Sequence, residues 1–138
     1  KKITNKITQL HGCILMIDYG YYKPNNQNTL QSVMKHKKND LLNNLGKADI
    51  TAHVNFSLLN EFFTRNGLKT KKTITQKNFL ETMGILERAN VLSKRMKFTQ
   101  QSDLYLRIQR LLSPKYMGEL FKVILAYRSD NNNFAGFK

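Results

Sequence analysis

The chain has 138 residues, enough for one domain, or a piece of one, with a real hydrophobic core. Its single cysteine, Cys13, excludes an internal disulfide, and no apolar run approaches the roughly 20 residues that a membrane-spanning helix requires. The formal net charge of +14, from 23 basic and 9 acidic residues, attracts acidic partners. Lysine rather than arginine carries most of it, which disfavours phosphate and base recognition as the main role.

In chain order, Ile3, Ile7 and Leu10 have helical spacing, and His11-Gly12 supplies a stop. Cys13 to Ile17 is a short apolar run, expected as a buried parallel strand with Cys13 an inert core thiol. It ends at Asp18-Tyr19-Gly20, the pattern of a strand whose carboxyl end opens onto a site, with Gly20 permitting a tight turn. Tyr21 to Asn28 is a polar, Pro/Asn-rich loop. Thr29 to Lys37 fits a short helix or an extended segment equally well, and Asn43 to Gly46 marks a turn. Asp49, Thr51 and His53 then crowd together at the mouth of a helix that Asn55 caps.

That helix carries Leu58, Leu59, Phe62 and Phe63 as one apolar stripe and stops at Asn66-Gly67. Thr73-Ile74 favours a strand, and Thr75 or Gln76 opens a helix with Phe79, Leu80 and Met83 inward and Gly84 as its break. Leu86, Ala89 and Leu92 continue the helical pattern. Ser102-Asp103 is the expected cap of another helix, which Ser113-Pro114 ends. Leu120 to Tyr127 is the final strand, and residues 129–138 are expected as a disordered tail. The order strand, helix, strand, several helices, strand suits an α/β enzyme in one unit, residues 1–138, with the last strand inserted antiparallel.

Several residues carry chemistry or a plainer role. Asp18 either bonds a substrate amine or guanidinium or caps nearby backbone N–H groups. Tyr19 either stacks on a planar cation or is an ordinary strand-end aromatic. Asp49 and Thr51 either orient His53 or cap backbone groups. Met83, Met96 and Met117 are core fillers, Arg88 suits a structural ion pair, and His11 and His36 look solvated. Three histidines and one cysteine without close pairing make no metal site.

The blocks Gly12 to Gly20, Thr29 to Gln31, Gly46 to Phe56, Thr75 to Leu80, Gly84 to Arg88, Arg110 to Pro114 and Met117 to Val123 carry a more specific signal. In this order they closely resemble the MidA-type class I S-adenosylmethionine-dependent methyltransferases, the group that includes a mitochondrial complex I assembly factor that methylates protein arginine. The resemblance implies the carboxyl-terminal part of a Rossmann-like α/β fold with a final antiparallel strand and several helices. It implies S-adenosylmethionine as cofactor, a protein substrate such as a respiratory complex I subunit, and a bacterial cytoplasmic or mitochondrial matrix location. Guanidinium methylation releases a proton, so His53 is the candidate catalytic base, with Asp18, Tyr19, Asp49 and Thr51 as substrate-side residues.

Two departures qualify that expectation. Asn55 stands where the family is expected to have aspartate. The family's Gly-rich cofactor loop belongs to an amino-terminal half not found in these residues, so the chain is expected to be inactive alone and to need that half or to self-associate. The alternatives are a non-catalytic fragment or binding subunit from a split or decaying gene, and a basic nucleic-acid-binding domain.

Overall fold

The computed structural model describes residues 1–23 and 28–137; Pro24 to Gln27 of the expected polar loop, and Lys138, lie outside the described residues. Helix α1 (Lys2–Gln9) turns Thr4 and Ile7 inward, and the Gly12 N–H donates to the Ile7 carbonyl at 3.0 Å to close its end. Strand β1 (Cys13–Tyr21) follows, longer than the apolar run because Asp18 and Tyr19 continue its pairing with the last strand and Gly20 and Tyr21 pair with a second one. The segment left open between helix and strand is a hairpin of β2 (Gln31–Met34) and β3 (Lys37–Asn39). Strand β4 (Asp49–Thr51) pairs antiparallel with β2, making a separate three-stranded sheet in the order β3-β2-β4.

Strand β5 (Val54–Asn55) returns to β1 and pairs with it in parallel, Gly20 against Val54 and Tyr21 against Asn55. Helix α2 (Phe56–Arg65) starts where Asn55 predicts: the Asn55 Oδ1 accepts from the Ser57 and Leu58 N–H groups, both at 3.1 Å. It ends at Asn66-Gly67, where Gly67 has φ +78 and the Leu68 N–H donates back to the Phe63 carbonyl.

Short strands β6 (Lys69–Thr70) and β7 (Ile74–Thr75) precede α3 (Gln76–Thr82), which Thr75 caps. Gly84, at φ +81, separates α3 from α4 (Ile85–Ser93). Helix α5 (Phe98–Leu112) begins earlier than Ser102-Asp103 suggests, because the Lys97 N–H donates to the Gln100 side chain at 2.9 Å and closes the first turn there. The connection at Tyr116 to Gly118 becomes one helical turn, α6 (Met117–Leu120). A Cβ on Gly118 would collide with the Leu112 carbonyl.

Strand β8 (Phe121–Tyr127) is the centre of the main sheet, whose order is β5-β1-β8-β6 with β7 also beside β8. It runs antiparallel to β1, β6 and β7, as the final antiparallel strand is expected to. Period-2 alternation divides the sheet into two faces. On one, Ile14, Met16, Ile124 and Ala126 meet Ile7, Phe56, Phe63 and Leu68 in the core. Phe56 is fully buried, a contribution of about 1.5–3 kcal/mol from its transfer alone.

On the other face Val123, Leu125 and Tyr127 of β8 are buried, but their β1 neighbours are not. Leu15 is 45% and Ile17 44% exposed, and Cys13 is exposed rather than the core thiol expected. From Cys13 to Tyr19, β1 pairs only with β8 among the described residues, which leaves its other edge open there. Met83 is also exposed and α4 buries no residue; its Leu86 and Ala89 line an open groove with Leu104 and Ile108 of α5. Within the expected disordered tail, Phe134 lies 4.7 Å from Tyr127 and Phe137 5.5 Å from Phe79, centroid to centroid.

Candidate active site

The carboxyl end of β1 is built by strand alternation and one close approach. Gly20 is buried because a Cβ there would strike the Val54 carbonyl and the Phe56 ring. Its role is to let β5 and α2 close onto β1; it makes no turn. That closure brings His53, the residue before β5, beside the end of β1. The Tyr19 and His53 rings lie 5.6 Å apart at 67°, and Tyr19 meets Phe121 of β8 at 5.6 Å and 81°. Both are edge-to-face contacts of the favoured kind. All three rings are half-buried.

The His53 backbone is held by the Thr29 Oγ1, which accepts its N–H at 3.2 Å. This bond ties the approach to the three-stranded sheet directly to the site. Phe121 was absent from the sequence-derived candidates because it reads as an ordinary strand residue. Its only signal is register: it pairs with Tyr19 across the ladder.

The remaining candidates are dispersed. Asp18 faces the opposite side of the sheet from Tyr19, and its Oδ1 accepts the Tyr19 N–H at 2.8 Å, the backbone-capping role. Directly across the ladder from Asp18 stands Lys122, and Thr75 flanks Lys122 on the other side. Burial pushes the Lys122 ammonium below the usual lysine range, with nearby Glu119 acting in the opposite sense. Its Nζ donates to the Glu119 carbonyl. Asp49 is exposed and pairs with Val33, and Thr51 with Gln31, in the three-stranded sheet. Among the described residues no hydrogen bond joins either side chain to His53. The ion pairs among those residues are Glu61–Arg65 and Asp103–Arg107, so Arg88 has none.

A family model for S-adenosyl-L-methionine-dependent methyltransferases matches residues 1–74. The chain belongs to that methyltransferase family. It is 31% identical over 122 residues to the protein arginine methyltransferase NDUFAF7, mitochondrial, of Danio rerio, covering 88% of this chain and 28% of that protein. The human protein of the same name is 31% identical over 128 residues, covering 88% and 27%. Two crystal structures from Burkholderia thailandensis superpose with TM-scores of 0.79 and 0.77 at 28% identity, each covering 97% of this chain and 39% or 38% of the other. The second is bound to S-adenosyl-homocysteine. The chain thus shares the mixed α/β fold of these methyltransferase relatives and spans little more than a quarter of the length of the curated ones.

Among the described residues, no glycine is placed to cradle the family's cofactor. Gly20, which has the close approach such a site needs, is filled by Val54 and Phe56. The positive-φ glycines Gly46, Gly67, Gly84 and Gly136 stand in turns and at helix ends. What this methyltransferase segment supplies is an aromatic wall with an imidazole, beyond the carboxyl end of β1 where ligands of open α/β sheets sit.

Proposed function

We propose that this chain is the substrate-side portion of an S-adenosylmethionine-dependent protein methyltransferase, with arginine as the methylated residue. The observation that carries it is the Tyr19–His53–Phe121 cluster at the end of β1. Aromatic faces attract a planar guanidinium, which keeps its charge and needs orientation before any nitrogen can act as a nucleophile. The ring of Tyr19 receives the guanidinium plane, and Phe121 holds that ring in place. The His53 imidazole takes the proton that the nitrogen loses as it becomes substituted.

The names of the mitochondrial relatives support arginine as the target, and the ligand of the Burkholderia structure supports the cofactor. The open edge of β1 and the apolar groove of Ile3, Ile14, Met16, Leu59 and Phe62 beside it support a requirement for a complementing segment. An unpaired strand edge next to uncovered apolar surface is a pairing template. We therefore expect no methyl transfer from the chain alone, and transfer when it is co-expressed with the amino-terminal portion of a family member. Radiolabelled S-adenosylmethionine with arginine-containing protein, followed by hydrolysis to amino acids, tests both arms. Label on lysine or carboxyl groups, or none in the complemented enzyme, overturns the proposal.

A further inference from the structure

The β2–β3 hairpin turns through Lys35 and His36, with φ +50 and +62, while Met34 pairs with Lys37. This is a two-residue turn with both central residues left-handed, a geometry for which Asn-Gly is strongly preferred. Neither residue is glycine or asparagine, so the turn keeps long side chains at a cost in backbone energy that a simpler pair would avoid. Lys35, His36, Lys37 and Lys38 are all exposed, and none is in an ion pair among the described residues.

The base of the hairpin is firmly built. The Asn39 Nδ2 donates to the Ser32 Oγ at 3.0 Å and to the Asp40 and Asn43 carbonyls at 2.8 Å, and the Asn39 Oδ1 accepts from Asn44 at 3.0 Å. Ser32 itself is buried. The same small sheet and its turn expose Leu42, Leu45 and Ile50, at 83%, 68% and 57%.

We propose that this hairpin is a docking surface for an acidic polypeptide segment that carries apolar side chains. Charge complementarity selects the acid, and the neighbouring leucines select a chain that also presents apolar groups. A nucleic acid would meet an interface with exposed leucines and no arginine at the tip, which suits it poorly. The inference deepens the proposed action on a protein substrate, since the Thr29–His53 bond connects this sheet to the aromatic cluster. Its test involves no methyl transfer, so either can fail without the other.

The test is fluorescence anisotropy of a labelled glutamate–tyrosine random copolymer titrated with the full chain, at low and at physiological salt. The variant K35N/H36G removes two bases while installing the pair that the turn prefers. It is expected to raise the melting temperature and to weaken copolymer binding by about fivefold to tenfold. Opposed changes in stability and affinity support a recognition role. The proposal is overturned if the native chain does not bind the copolymer, if K35N/H36G binds it equally well, or if polyuridylate or phosphatidylserine vesicles bind more tightly than the copolymer.

Discussion

Tyr19 and Asp18 are adjacent in β1, yet the Tyr19 ring packs on His53 on one face of the sheet while the Asp18 side chain stands across from Lys122 on the other. The link between them is local, the Tyr19 N–H donating to the Asp18 carboxylate. Consequences for chemistry therefore divide by face.

On the aromatic face, Tyr19→Ala in the complemented enzyme is expected to lower kcat/KM by about tenfold, the scale of one cation–π contact, while Tyr19→Phe retains most activity. His53→Gln is expected to lower kcat by ~10²-fold, the lower end for loss of a general base. Steady-state kinetics against an arginine peptide checks both, and an unchanged kcat for His53→Gln removes the base assignment.

On the opposite face, Lys122 loses affinity for its proton on folding because burial disfavours the charged form. The unfolded state then binds more protons, so this group makes stability rise with pH as the solution approaches the ordinary lysine value of 10.5. Its contribution is full above that value and is lost as pH falls through the lowered, folded-state value. Lys122→Met is thus expected to be relatively more stable than the parent at neutral pH, with the difference shrinking in alkali. Urea unfolding of both proteins across that range measures it.

At Gly20, addition of a single methyl group forces the Val54 carbonyl and the Phe56 ring apart. Gly20→Ala is expected to cost about 1–3 kcal/mol, as overpacked sites do. Chemical denaturation gives the value, and parent-like stability would mean that β5 is not clamped against β1.

Asn55 distinguishes a cap from a charge. Asn55→Ala removes the acceptor for Ser57 and Leu58 and is expected to cost about 1 kcal/mol. Asn55→Asp keeps the acceptor, adds a charge favourable at a helix N-terminus, and is expected to match or exceed the parent. Thermal melts of the two variants check the order.

Cys13 offers a direct probe of the uncovered face. Its thiol is exposed beside Leu15 and Ile17, so it is expected to react with a maleimide in the native chain as completely as in urea. Addition of a complementing segment is expected to slow that reaction. Protection in the isolated chain would indicate self-association over this face.

Local signals agree with the structure where hydrogen bonds close within a few residues, except at the start of α5, where the Lys97–Gln100 bond closes the first turn ahead of the expected Ser102-Asp103 cap. Asn55 caps α2, Asn66-Gly67 ends it, Thr75 opens α3, Gly84 breaks it and Ser113-Pro114 ends α5. Each of these depends on hydrogen bonds or backbone preferences within a few residues, so each is legible without the rest of the fold. The family motifs likewise sit in consecutive residues, and with them came the antiparallel placement of β8. Tertiary structure alone decided what depends on pairing and coverage. The Lys35-His36 turn was hidden because its residues lack the usual composition of a left-handed turn. The outward exposure of Cys13, Leu15 and Ile17 was hidden because an apolar run records that a strand suits burial, whereas coverage depends on what packs on each face. Phe121 joined Tyr19, and Lys122 came opposite Asp18, through the register of strands about a hundred residues apart in sequence, which no local preference encodes.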